Sequence, residues 1–343
     1  MSGGLRTDTL QRELRGMGRR SLAPSSVAVA RLWATSWQDL STWGGVELDP
    51  KIAEIYKENH HPKHMFNMDI RDFNALHDLP AELYQLDLLD GSPPCSTFST
   101  AGSREGAWGK EKRFAEGQKL QTLDDLVFVY CDTIAKLMPK CCLLENVSGL
   151  VKGNAKSYAK RIVARLNEIG YDVQVFLLNA ASMGVPQKRE RVFFIGHRKE
   201  YRLPKLVMAF NEKPILFREF MEDVEGVHDL SEYQKRVWDN RKPGDYNFSH
   251  ILQRIEKRNA WFNYQLIHSD AVAPTKTTGG FDYLYDQPRA CTEYEIKCVS
   301  SFPQDYKYKN KNQLNFLTGM SVPPLMTAQI AYQIYRQWLS KID

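Results

Sequence analysis

Between Val27 and Ile195 short apolar runs alternate with longer segments of mixed polarity, a pattern that predicts alternating strands and helices. Val27 to Trp33 opens the series as a helix candidate. Gly45-Val46-Glu47-Leu48 is a short apolar run ending in an acid, and Asp49-Pro50 then starts a helix through Tyr56. Proline suits a first helical position, where its missing N–H would have had no partner. Leu86 to Leu89 reads as a buried strand broken by Gly91-Ser92-Pro93-Pro94. Leu120 to Met138 carries apolar residues at helical spacing. Cys141-Cys142-Leu143-Leu144 is a second buried strand, ending in Glu145, and Tyr158 to Ile169 is a helix stopped by Gly170. Val173 to Leu178 and Val192 to Ile195 are strands separated by a polar loop. Ahead of all this, the first 22 residues carry Arg6, Arg12, Arg15, Arg19 and Arg20 against Asp8 and Glu13, an arginine-rich lead-in with weak helical character at 7–15 that reads as a solvated arm or fraying helix.

Strands that alternate with helices imply a parallel α/β sheet. Such sheets bind ligands beyond the carboxyl ends of their strands. Here those ends carry Glu47, Asp69, the Pro93-Pro94-Cys95 segment and Glu145, so the functional groups converge on one edge. After about residue 199 the rhythm is lost. Residues 199–282 are aromatic, polar and basic, with Trp238, Trp261, Tyr264, Lys235, Arg236, Arg241 and Lys242, and Thr275-Lys276-Thr277-Thr278-Gly279-Gly280 reads as a mobile loop. From about 283 the pattern becomes regular again and ends in a helix, Thr327 to Leu339. The expected organisation is one domain from 1–198 plus 283–343, with a smaller domain at 199–282.

Composition narrows the classes. Hydrophobic residues make up 43% of the 343 positions and charged residues 25%, enough apolar material for a core. The net charge of +5 fits a polyanionic partner without requiring one. The six cysteines form no CxxC pair and no His/Cys cluster with zinc spacing, so no metal is expected and the thiols read as reduced, cytosolic ones. No apolar run approaches the ~18 residues of a membrane span. The N-terminus has no apolar signal core, so the expected location is the cytoplasm.

Three segments carry chemistry. Cys95 follows two prolines at a strand end, where fixed φ angles hold the thiol on a stiff, extended turn suited to a nucleophile. Taken alone, it would read as a buried cysteine in a tight loop. Glu145 follows four buried residues, surroundings that could prepare a carboxyl group for proton donation; alone it would read as a cap or surface charge. Gln187, Arg189 and Arg191 alternate and so share one face of an incoming strand, which alone reads equally well as a solvated basic edge.

At these residues the chain resembles the cytosine-C5 DNA methyltransferase family of bacterial or phage type. Pro93-Pro94-Cys95 resembles the family's catalytic motif, Glu145-Asn146-Val147 its second, and Pro186-Gln187-Lys188-Arg189-Glu190-Arg191-Val192 its Gln-x-Arg-x-Arg motif. Arg289-Ala290-Cys291-Thr292, Glu295 and Phe302-Pro303 resemble the motif that supports the recognition domain, and Gly319-Met320-Ser321-Val322-Pro323-Pro324 the last motif, which folds back on the cofactor site. The motifs run in family order from about 46 to about 332.

The resemblance implies an S-adenosylmethionine-dependent methyltransferase, with a Rossmann-like large domain and a smaller target-recognition domain at 199–282. It implies that Cys95 attacks C6 of a cytosine flipped out of double-stranded DNA. Glu145 would hold the ring N3 and the exocyclic amine, and Arg191 the O2, with Arg189 beside it. It places Glu47, Leu48, Asp69, Ile70, Ser92, Pro93, Ser321 and Val322 at the cofactor, and makes the glycine-bearing loop from Ser99 to about Lys112 a closing loop. A monomer is expected, in a bacterial or phage-infected cell, with room for a companion restriction endonuclease.

The chain departs from the pattern at its start. Counting back from Glu47 to the family's glycine loop lands near Ala23-Pro24-Ser25-Ser26, which has no glycine; Gly16-Met17-Gly18 and Ser2-Gly3-Gly4 are the displaced candidates. Ser96 stands where the family has glutamine, and Met320 where it has asparagine. An RNA cytosine-C5 methyltransferase and a catalytically impaired DNA-binding homologue or subunit stay open as alternatives.

Overall fold

The computed structural model describes residues 19–24, 40–94, 125–224, 230–261 and 264–342. The sequence readings at 7–15, 27–33 and 99–112, the glycine candidates and Cys95 lie outside the described residues. The chain clusters into two compact units: Met1–Leu178, Glu190–Ala209 and Thr327–Asp343 form one, Asn179–Arg189 and Phe210–Met326 the other.

The first unit is built on a seven-stranded sheet: β1 (Arg19–Pro24), β2 (Leu40–Val46), β3 (His64–Phe66), β4 (Leu88–Gly91), β5 (Cys141–Val147), β6 (Tyr171–Asn179) and β7 (Glu190–Arg198), in the order β3-β2-β1-β4-β5-β7-β6. The pairs β1–β2, β2–β3, β1–β4 and β4–β5 are parallel, so the carboxyl ends of β2, β3, β4 and β5 share one edge.

Helix α1 (Pro50–His60) starts where the sequence predicts. Asp49 caps it by accepting from the Lys51 N–H at 2.8 Å, and Pro50 occupies its first turn. Next come α2 (Ile70–Ala75), α3 (Asp125–Leu137) and α4 (Lys156–Ile169). Helix α4 ends at Gly170 with φ +115°, a conformation open to glycine at little cost. Phe73, Leu83, Val127, Ile134, Leu144, Ile162 and Phe194 are fully buried in the core of this unit.

Two features depart from expectation. Residues 19–24, of which 19–22 read as part of a solvated lead-in, form the interior strand β1, with a register shift between Ser21 and Leu22. Arg-Arg-Ser-Leu-Ala-Pro holds one large aliphatic residue, so neither periodicity nor propensity signals a strand. And the sheet is mixed rather than parallel: β7 runs antiparallel to β5. Residues 180–189 between β6 and β7 contain only a short 3-10 turn, whereas a parallel return needs a crossover of about a dozen residues or more.

The second unit holds α5 (Glu232–Asp239), α6 (Phe248–Glu256), a two-stranded parallel sheet of β8 (Gln265–Ile267) and β9 (Asp282–Leu284), then α7 (Glu293–Val299) and α8 (Lys311–Met320). Helix α9 (Pro324–Gln337) leads back into the first unit. Residues 283–326, which the sequence reading joins to the large domain, cluster with the second unit because Leu284, Cys291, Ile296, Val299 and Leu314 share a core with Phe217, Ile267 and Ala273. Under this core Arg289 and Glu295, exposed by 1% and 0%, form a two-pronged ion pair with both N–O distances at 2.8 Å. Thr292 and Glu295 close a capping box at the start of α7.

The loop read as mobile, Thr275 to Gly280, is tied at its first residues. The Lys276 ammonium is buried against Asp282, and Thr275 donates to the Lys188 carbonyl. Among the aromatics of this unit, Trp238 is buried beneath Arg241, 3.2 Å from its ring centre, and Trp261 stacks on Tyr264.

Candidate active site

Strand pairing sets the centre of the site. In the antiparallel β5–β7 ladder Val147 lies opposite Arg191 and Glu145 opposite Phe193. Glu145 and Arg191 are therefore diagonal neighbours on one face, within reach for long side chains. The Arg191 Nε donates to Glu145 Oε1 at 3.1 Å, and Arg191 Nη1 donates to the Glu190 carbonyl at 2.7 Å. Glu145 is 4% exposed. Its other oxygen, Oε2, accepts from the hydroxyl of Ser92, which is itself buried.

The next residue on β5 makes a second tie to the same loop: Asn146 Nδ2 donates to the Pro93 carbonyl at 3.1 Å. The end of β4 is fixed from below. Tyr130 on α3 lies against Gly91, and its hydroxyl sits 3.0 Å from the Leu89 carbonyl and 2.9 Å from that of Leu143. The segment leading to Cys95 is thus held from both sides up to Pro93.

Glu47 stands just past β2, buried, with Oε1 accepting from the Asp49 N–H at 2.9 Å. Asp69 precedes α2 and caps it through the Arg71 N–H at 2.8 Å, so Ile70 opens that helix. Asn67, which the sequence reading did not single out, joins these two places: its Nδ2 donates to the carbonyls of Glu47 at 2.8 Å and Leu48 at 3.0 Å. Its signal was its position two residues before Asp69, legible only once β2 and β3 are known to be neighbours. A buried carboxylate suits a ribose diol, which offers two hydroxyl donors. Glu47, Asp69 and Pro93 lie at the ends of the mutually parallel β2, β3 and β4, so these positions fit the nucleoside half of S-adenosylmethionine.

The remaining predicted residues belong to the second unit. Arg189 is 1% exposed and donates to the carbonyls of Lys276 at 3.0 Å and Gly319 at 2.9 Å. Gln187, also fully buried, donates to the Val299 carbonyl and accepts from the Lys276 N–H, both at 3.3 Å. Together they knit three separate stretches of that unit. Ser321 and Val322 follow α8 and are buried, with the Ser321 hydroxyl donating back to the Leu317 carbonyl at 2.6 Å.

Burial disfavours the thiolate at four of the described cysteines. It pushes Cys131 up to about 12 and Cys142 and Cys291 well up, and it raises Cys298 as well. Among the described residues no group of His, Cys, Asp and Glu is placed to hold a metal, and no helix is long and apolar enough to cross a membrane.

Solved structures show the class of fold. A chain described as a DNA modification methyltransferase encoded within an Escherichia coli prophage superposes with TM-score 0.65 at 15% identity, covering 93% of this chain and 99% of that one. Spodoptera frugiperda DNMT2 does so with TM-score 0.61 at 15% identity, covering 92% and 99%. The fold is that of the S-adenosylmethionine-dependent methyltransferases.

The sequence gives the family: residues 34–336 match the C-5 cytosine-specific DNA methylases, and the chain belongs to that family. It is 28% identical over 313 residues to the type II methyltransferase M.NgoPII of Neisseria gonorrhoeae, covering 84% of this chain and 87% of that protein. It is 29% identical over 293 residues to M.HindV of Haemophilus influenzae, covering 83% and 86%. The chain is a DNA (cytosine-5) methyltransferase that uses S-adenosylmethionine.

Proposed function

We propose that the chain methylates a cytosine flipped out of a specific duplex sequence through a covalent adduct on Cys95. The observation that carries this reading is the β5–β7 register, which sets Arg191 on Glu145 directly beside Ser92 and Pro93. The flipped base meets Glu145 with its N3 and exocyclic amine, and Arg191 with its O2. A guanidinium has five donors in a fixed fork, so Arg191 can hold Glu145 and the base together. Cys95 sulfur adds to C6, and the electron pair released into the ring makes C5 nucleophilic. S-adenosylmethionine supplies an electrophilic methyl group to C5. Loss of the C5 proton then restores the double bond and expels the thiolate. Burial raises the thiol pKa of Cys131, Cys142, Cys291 and Cys298, which makes these four poor nucleophiles and is consistent with Cys95 as the reactive one.

For the cofactor we propose Glu47 at the ribose, Leu48, Asp69 and Ile70 around the adenine, and Pro93, Ser321 and Val322 along the rest. Arg189 is a strut of the second unit that acts by fixing the Lys276 and Gly319 backbone, not by touching the base. Residues 199–282 are the target-recognition part, with base reading from about 230–282. There the side chains of Arg236, Arg258 and Lys235 are 64%, 50% and 42% exposed, the arginines paired with Glu256 and the lysine with Asp239, so a phosphate contact would exchange those carboxylate partners. The type II designation of the relatives supports a restriction-modification role with a companion endonuclease, and we infer a cytoplasmic monomer.

Transfer of labelled methyl from S-adenosylmethionine to a random-sequence duplex DNA pool, with a matched RNA pool beside it, tests the reading. The expected product is 5-methylcytosine in one DNA sequence context. Label confined to RNA, or spread over cytosines without context, would contradict it.

A further inference from the structure

We propose that Ser92 is a positioning residue for Glu145, and through it for the target base, a role distinct from the cofactor contact that family resemblance gives this position. The proposal rests on Glu145 being the group that holds the cytosine edge. The two oxygens of Glu145 are held by different donors, Oε1 by Arg191 Nε and Oε2 by the Ser92 hydroxyl, and this split fixes the plane of the carboxylate.

Two physical points give the hydroxyl its importance. The terminal torsion of a glutamate is soft, so one anchored oxygen does not set the carboxylate plane. And arginine favours a two-pronged grip on a carboxylate, as Arg289 shows with Glu295 in the second unit. Loss of the Ser92 hydroxyl favours turning both Glu145 oxygens onto Arg191, which would take the carboxylate and the guanidinium away from the base at once.

The hydroxyl also serves where a second cation would not. It is a neutral donor and can keep donating to Oε2 while the exchanged proton lies on the side of the base, whereas Arg191 adds a positive charge. Glu145 therefore stays oriented while the base edge exchanges a proton with it. Ser92 has little freedom to leave its post. The residue before it, Gly91, lies against the Tyr130 ring, and the carbonyl of the residue after it is held by Asn146.

The test uses the full chain with Ser92→Ala, Ser92→Thr and Glu145→Gln beside the wild type. It measures S-adenosylmethionine affinity by titration without DNA, and single-turnover methyl transfer with both substrates saturating. We expect Ser92→Ala to slow transfer by about ten- to a hundredfold, the scale of an ångström-level misplacement. Its cofactor affinity should stay within about twofold of wild type, and Ser92→Thr should recover most of the rate. A Ser92→Ala enzyme that transfers at the wild-type rate while Glu145→Gln is slow would overturn the Ser92 proposal alone. So would a Ser92→Ala defect confined to cofactor affinity, or a well-folded Ser92→Thr no faster than Ser92→Ala. Wild-type transfer by Glu145→Gln would remove the Glu145 reading, and the Ser92 proposal with it.

Discussion

Replacing Gly91 with alanine tests how tightly the end of β4 is held. A Cβ at this position would lie 2.4, 2.5 and 2.9 Å from three atoms of the Tyr130 ring, where ordinary contact begins at 3.4 Å. The ring is poorly able to retreat, because Tyr130 is 1% exposed and its hydroxyl is engaged with the carbonyls of Leu89 and Leu143. The backbone must then give way by about 1 Å, and the next residue is Ser92.

Overpacking of this kind costs about 1–3 kcal/mol, while alanine returns about 0.4–1 kcal/mol by narrowing the unfolded ensemble. The net loss of about 1–2 kcal/mol lowers Tm by roughly 1–3 °C in a chain of 343 residues. The displacement beside Ser92 should slow methyl transfer by about ten- to a hundredfold. Calorimetry and single-turnover transfer read the two effects. The decisive arm is a double-mutant cycle with Tyr130→Val, which removes all three clashing atoms. In that background Gly91→Ala should cost less than about 0.5 kcal/mol. Additive costs would refute steric contact with Tyr130 as the cause.

Two further perturbations follow from the same contacts. Arg289→Ala leaves the Glu295 carboxylate buried without its cation, so unfolding should fall by about 3–5 kcal/mol, and removing both partners together should cost less than removing arginine alone; a loss below about 1 kcal/mol by denaturant titration would count against this. Asn67→Ala should weaken S-adenosylmethionine binding by about tenfold, since two hydrogen bonds of about 1 kcal/mol each position Glu47 and Leu48. Asn67→Asp should bind no better, because its carboxylate would face two carbonyl oxygens; unchanged affinity in either variant would separate Asn67 from the cofactor.

Much of the catalytic unit was legible in the sequence because its signals are local. Asp49-Pro50 announces α1, Gly170 ends α4, and the apolar runs before Ser92 and at Cys141–Leu144 become β4 and β5. What was not legible depends on pairing between distant segments. The strand character of Arg19–Pro24 comes from its neighbours β2 and β4, not from its own residues. The reversal of β7 follows from the short connection before it. The partners of Ser92 and Asn67 lie 53 and 19 or 20 residues away along the chain, beyond any periodic signal. Arg189 and Arg191 look equivalent in the sequence; one is buried against carbonyls of the second unit and the other reaches Glu145.

The central claim, covalent methylation through Cys95, is tested most directly by trapping on duplex DNA that carries 5-fluorocytosine, in the presence of S-adenosylmethionine. Fluorine cannot leave as the C5 proton does, so the account predicts a protein–DNA adduct that survives denaturation, requires the cofactor, and disappears in Cys95→Ser while duplex binding persists. An adduct of undiminished yield in Cys95→Ser, or methyl transfer by that variant at the wild-type rate, would contradict it.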